Sequence, residues 1–280
     1  MIIINKGMSV GWSVDALHAS KTALGFQLIS ILDYILKSWE DSEHSQTETK
    51  NSFKSKYQGL VKEAYTGLYN DYHGLAVKID MLELIFEKKQ TEIRHKDFLY
   101  VTEVVEKYFM DIRSIYDFMA KILRLTVAPK YVGQLSFDSL NSLITSIEKG
   151  TTKDKLPESL EKKLLSIIDS FHKTREIRDS IVHSGHQINI MTLNQGYAVK
   201  VHSSEKGKPD EYIPLLPYLS EITKEMFSFG EDIARLIYEE YRKNYGDFTL
   251  GLVALEGVCI PNFIEFLGIF KGENGKDADL

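Results

Sequence analysis

One stretch of the chain concentrates the residue types that can bind a phosphate and move a proton. It is Arg178-Asp179-Ser180-Ile181-Val182-His183, preceded by His172, Lys173, Arg175 and Glu176 and followed by His186. An imidazole with an ordinary pKa near 6.5 can take or give a proton at neutral pH. A guanidinium keeps its charge and offers planar donors to an oxyanion. On a helical wheel at about 100° per residue, Leu164, Ile167, Phe171, Ile177, Ile181 and Val182 share one apolar arc. Arg178 falls near the middle of that arc, and His172, Glu176, Asp179 and His183 fall on its flank. An arginine at the centre of an apolar face needs hydrogen-bond acceptors or an interface.

A bland alternative stands beside this. Arg178 then pairs with a carboxylate across the bundle, and His183 sits at a helix end where the negative dipole favours it. Asp179 and Glu176 then form a solvated face.

Other chemistries find little support. There is no Gly-x-x-x-x-Gly-Lys-Ser/Thr loop, no Gly-x-Gly-x-x-Gly after a strand and no Gly-x-Ser-x-Gly elbow. Glu92-x-x-His95 is a single copy of a pattern that di-iron bundles use twice. His183-x-x-His186 lacks a third ligand. With Cys259 as the only cysteine, neither an internal disulfide nor a thiolate cluster can form. No metal and no cofactor is therefore expected. The formal charge of −6 speaks against non-specific coating of nucleic acid, so an RNA partner needs a local basic site.

The elements that must position these residues are mostly helical. Apolar spacing predicts helices over residues 15–40, 53–89 and 97–125, with Gly67 and Gly74 as weak points in the second. Pro129 and Gly133 break the chain, and a short helix runs from 136–140 to Lys149-Gly150. A helix from Pro157 to His183 carries the motif. Residues 188–193 and 197–202 alternate around Asn194-Gln195-Gly196, the pattern of a hairpin. Residues 203–211 read as a polar loop and 218–245 as the last long helix. Met1 to Asn5 resembles a strand, and 248–255 and 258–270 stay unassigned between strand and helix.

The expected architecture is all-α, an up-and-down bundle with a small inserted β-hairpin. A strand-like segment takes residues 1–12, the bundle 13–245 with its hairpin at about 187–203, and an appendage and tail 246–280. The start has no secretory pattern. Glu256, Pro261, Asn262 and Glu265 interrupt the one long apolar stretch, 248–270, so no membrane span is expected. A cytoplasmic location is the expectation.

Arg178-Asp179-Ser180-Ile181-Val182-His183 resembles the arginine-x4–6-histidine signature of the HEPN superfamily, late in a long helix of an all-α bundle. Ser184-Gly185 and the run from Ile115 to Leu123 also resemble HEPN helices, and the resemblance covers roughly residues 13 to 245. Asp179 stands where the family more commonly has asparagine.

The resemblance implies a metal-independent endoribonuclease whose motif helices face each other in a homodimer. Arg178 would hold the scissile phosphate, His183 would serve as base or acid, and Asp179 would orient one of them. His172, Lys173, Arg175 and His186 are the weaker substrate-binding candidates. Family membership further implies a bacterial or archaeal defence, toxin or stress setting, with an antitoxin or other regulatory partner. The competing implication is a non-catalytic dimerisation or RNA-binding module.

Overall fold

The computed structural model describes residues 24–41, 48–87, 95–184, 188–193, 196–201, 211–246 and 260–268. Nine helices, one 3-10 turn and three strands occur among them. In chain order they begin with α1 (Phe26–Asp41), α2 (Glu48–Glu87) and α3 (His95–Leu123), which a 3-10 turn at Arg124–Thr126 extends. Three short helices follow, α4 (Pro129–Val132), α5 (Leu140–Glu148) and α6 (Glu158–Ser166). Then come α7 (Ile168–Ser184), β1 (Ile190–Leu193), β2 (Gly196–Val201), β3 (Glu211–Pro214), α8 (Leu215–Tyr245) and α9 (Pro261–Phe266). The predominantly helical expectation holds, with a larger sheet than a hairpin.

The helices start and stop for local reasons. Gly25, at φ +70°, precedes α1, which begins at Phe26; residues 15–23 of the helix predicted over 15–40 lie outside the described residues. Ser139 caps α5 by accepting from the Ser142 N–H at 3.2 Å, and Gly150 turns the chain away at φ +68°. Pro217 lies in the first turn of α8, where no intrahelical acceptor awaits its missing N–H. That lets α8 begin three residues earlier than the spacing suggested. The helix expected from 157 to 183 is two helices parted at Ile167.

Two compact units share these elements, with boundaries after Asn70, Arg113, Ser166, Phe227's predecessor Met226 and residue 259. The first takes α1, the start of α2, the end of α3, the 3-10 turn, α4 to α6 and the last part of α8. Its α1 buries Phe26, Leu28, Ile29, Leu32, Ile35 and Trp39, so nearly the whole helix is core. Trp39 donates its indole N–H to the Tyr241 hydroxyl at 2.6 Å, inside an aromatic cluster with Phe53, Tyr57 and Tyr245. Tyr245 donates to the Val127 carbonyl at 2.9 Å. Burial pushes both the Tyr241 and Tyr245 phenols well above their ordinary range.

Gly67 explains why α2 runs unbroken through a predicted weak point. A Cβ there would lie 2.3 Å from the Phe118 ring of α3, so the missing side chain makes room for that ring. Lys121 covers the same ring at 5.3 Å and pairs with Glu63 at 3.0 Å.

The second unit takes the rest of α2 and α3, α7, the sheet, the start of α8 and α9. Gly74 plays a similar part here: its open space admits Asp111, which pairs with Lys78 at 2.5 Å. The Tyr108 and Thr223 hydroxyls meet at 2.5 Å, and Phe109 lies against Tyr218.

The sheet has the order β1-β2-β3, antiparallel throughout. Pairing runs from Ile190↔Val199 to Leu193↔Gly196, as the alternating pattern predicts for the hairpin. The third strand is an addition to the expected elements, since the polar loop expected over 203–211 reaches only its first residue, Glu211. Its Val199↔Ile213 and Val201↔Glu211 pairs leave β2 in the middle, with Tyr197, Ala198 and Val199 buried. The N-terminal strand-like segment lies outside the described residues. Of the C-terminal stretch, residues 260–268 hold the short α9. Among the described residues no helix is long and apolar enough to cross a membrane.

Candidate functional site on helix α7

Helix α7 is held to its unit by a narrow line of residues. Phe171, Thr174 and Ile177 are buried at three-residue spacing. The Thr174 hydroxyl, fully enclosed, donates to the Ser170 carbonyl at 3.0 Å and so avoids an unpaired polar group. The Arg113 guanidinium, from α3, lies 4.9 Å from the centre of the Phe171 ring. The His172 ring centroid also lies near this contact, 5.6 Å from that of Phe171.

Around Ile177 the polar flank carries two arginines and the acid that pairs with both. Asp179 receives one bond on each oxygen: Arg175 Nε donates to Oδ2 at 3.1 Å and Arg178 Nη1 donates to Oδ1 at 2.9 Å. One carboxylate therefore holds two guanidinium groups, and the three side chains carry a net single positive charge. All three are about one-third exposed, at 37%, 32% and 31% for Arg175, Arg178 and Asp179. Pairs this exposed add only about 0–1 kcal/mol to stability. Their consequence is geometric: they fix two planar donor groups at the edge of a helix.

Arg178 is thus not sealed into an apolar face, and its acid lies on its own helix, not across the bundle. The wheel locates its Cβ correctly between Phe171 and Thr174. A guanidinium stands several bonds further out, however, and the flexible stem carries it sideways to the polar flank.

Of the predicted site residues, the structure brings Arg175, Arg178 and Asp179 together. His172 keeps to the Phe171 contact, while Lys173 and Glu176 are exposed. His183 lies on α7, one residue before its end, and its side chain is outside the described residues, as are His186 and Glu92. Among the described residues no group of three or more His, Cys, Asp or Glu is placed to hold a metal ion.

Among the described residues the one buried arginine is Arg124, which is not among the predicted site residues. Its neighbours Ile122, Leu123, Leu125 and Val127 are all apolar, and that surrounding was the available signal.

The class that fold and site define is a predominantly helical protein with a small antiparallel sheet and an arginine-rich helix end. No family model, no curated protein and no solved structure matches the chain.

Proposed function

We propose that the chain is a metal-independent endoribonuclease of the HEPN type, with a HEPN-like bundle and a cleft completed by the α7 of a second copy. The observation that carries this reading is the Asp179 clamp, which holds the Arg178 and Arg175 guanidinium groups in fixed, part-exposed positions. Fixed donors of this kind suit an oxyanion whose charge grows in the transition state. Arg178 binds the scissile phosphate, and His183 takes the proton from the ribose 2′-hydroxyl as that oxygen attacks the adjacent phosphorus. The bond to the departing 5′-oxygen breaks, that oxygen takes a proton from water, His183 returns its proton to solvent, and a cyclic phosphate end remains. Asp179 acts as a positioning residue through Arg178. A homodimer in a defence, toxin or stress system, under an antitoxin or regulatory partner, is the setting this reading implies.

The test is labelled single-stranded RNA incubated with the purified full chain in excess chelator. Wild type should cleave, whereas His183→Ala should lose about 10²–10⁴-fold in rate, the usual worth of a general acid or base. Arg178→Ala should also fail, with helical content and dimer mass unchanged in both. Cleavage that requires added metal, or that survives His183→Ala, refutes the mechanism.

The same clamp favours a second reading, because Asp179 already accepts a donor that Arg178 would otherwise offer to a phosphate. On that reading α7 is a non-catalytic dimerisation or RNA-binding surface. A wild-type dimer that binds RNA and never cuts it decides for this alternative.

A further inference from the structure

A cleft of about 480 Å³ lies among the start of α2, the 3-10 turn after α3 and the loop after α4. None of its residues belongs to α7. Its lining includes Lys56, Tyr57, Arg124, Ser136, Phe137 and Asp138. Arg124 is the unusual member. The residue is only 5% exposed, and its Nε is fixed to the Lys121 carbonyl at 2.6 Å. Its guanidinium carbon stands 5.1 Å from the Tyr57 ring centre and 5.8 Å from that of Phe137. Two aromatic rings therefore lie close to the guanidinium, and with the Nε bond they hold it in place at the cleft.

The remaining donors of Arg124 are the two terminal nitrogens, and among the described residues neither has a hydrogen-bond partner. The guanidinium keeps its charge, and its terminal nitrogens are not among the fully enclosed unpaired atoms, so they remain open to a ligand in the cleft. Burial does pull the Arg124 pKa down, while Tyr57 and Asp138 oppose that. Asp138 does not close the gap with an ion pair; its carboxylate instead accepts from the Ser136 hydroxyl at 3.2 Å. A second cation is close by. Lys56 Nζ lies 5.2 Å from the Tyr57 ring centre and 3.9 Å from where a Cβ on Gly133 would stand, so it reaches toward the loop. Two cations and one carboxylate give the cleft a net positive charge in a chain of −6.

We propose that this cleft binds a small phosphate monoester bearing a hydroxyl group, such as a sugar phosphate or a mononucleotide. The phosphate lies between the Arg124 terminal nitrogens and the Lys56 ammonium, where three or more donors suit a tetrahedral dianion better than a flat, singly charged carboxylate. The ligand hydroxyl donates to Asp138, whose acceptor oxygens would otherwise repel the anion. The volume is within the range of small-molecule sites and exceeds what free phosphate fills.

The experiment is titration calorimetry of the full chain with ribose 5-phosphate, AMP, inorganic phosphate, ribose and citrate. One or both phosphate esters should bind, and ribose and citrate should not. Lys56 and Asp138 are exposed, so Lys56→Ala and Asp138→Asn should fold as wild type, checked by circular dichroism. Lys56→Ala should weaken the ester by about tenfold or more, the usual effect of losing one charge-assisted contact. Asp138→Asn should narrow the preference for ester over inorganic phosphate. Arg124→Lys should keep the charge and lose most of the affinity.

The relative strength of ribose 5-phosphate and AMP tells a sugar phosphate from a nucleotide. Failure of both esters, equal binding of citrate, or unchanged affinity in Lys56→Ala overturns the proposal. These readouts involve no RNA cleavage, so they stand or fall apart from the α7 mechanism.

Discussion

Replacing Gly67 by alanine should destabilise the protein, against the usual preference of helices. On propensity alone, glycine to alanine inside a helix gains about 1 kcal/mol. Here the new methyl would lie 2.3, 2.4 and 2.7 Å from three atoms of the Phe118 ring. Carbon atoms settle at about 3.5–4.0 Å, so the overlap exceeds roughly 1 Å and cannot be absorbed by a small shift. The ring must leave its site or α2 and α3 must part locally, at a cost of about 1–3 kcal/mol for overpacking. Moving the ring also forfeits the Lys121 contact over its face, about 0.5–1 kcal/mol at an exposed site. The clash and the lost contact together outweigh the propensity gain, leaving a net loss of about 0.5–3 kcal/mol.

Urea unfolding followed by far-ultraviolet circular dichroism reads this directly. The decisive control is the same substitution in a Phe118→Ala background, where the ring is gone and only propensity remains. There Gly67→Ala should be neutral or stabilising by up to about 1 kcal/mol. A stabilising effect in the wild-type background, or the same loss in both backgrounds, would refute the close-approach account.

Three further expectations follow from buried groups. Burial, aided by Asp232, raises the Glu231 carboxyl to about 8 against the pull of the Gln27 backbone N–H in the first turn of α1. The folded state thus favours the protonated acid, so stability is fullest below about pH 4.5 and declines as pH rises toward 8. Glu231→Gln should flatten that decline by a few kcal/mol in urea titrations at several pH values; an unchanged slope would contradict it. Asp111 is held above its ordinary range by burial, with Lys78 opposing. Lys78→Met should raise it further, as a carboxyl NMR titration would show, and a fall would count against the pairing. Trp39→Phe should cost about 1–3 kcal/mol in thermal or urea unfolding through lost volume and the lost Tyr241 hydrogen bond. Tyr241→Phe should recover little of it; a neutral Trp39→Phe would sink this account.

What could be read from the chain was whatever its local chemistry decides. Ser139 and Lys149-Gly150 bound α5 because a cap and a left-handed glycine act within a few residues. The hairpin was legible because alternation and its turn residues are contiguous. Strand β3 was not. Four residues ending in proline carry no periodicity of their own, and Glu211–Pro214 becomes a strand only because β2 offers an edge.

The glycines of α2 misled for a related reason. Gly67 and Gly74 act as sites of close approach whose occupants, Phe118 and Asp111, lie far along the sequence. The break at Ile167 has neither glycine nor proline to announce it, and Ser166 back-bonds to the Lys163 carbonyl just before it. At the candidate site, the wheel placed Arg178 on the correct side of α7 but could not foresee that Asp179 would draw its guanidinium to the flank. Arg124 went unread because its isolation depends on Tyr57 and Phe137, which come from other elements.

Pro214 ends β3 and Leu215 begins α8, with no residue between them. The last rung of the ladder, Ala198↔Pro214, is therefore wired directly to the first turn of a 31-residue helix. Such a junction has no slack. One inserted residue would turn the helix by about 100° against its strand and swing Leu215, Tyr218, Leu219 and Ile222 out of the interior. Loops elsewhere can lengthen cheaply; at this joint, chain length is itself a structural specification.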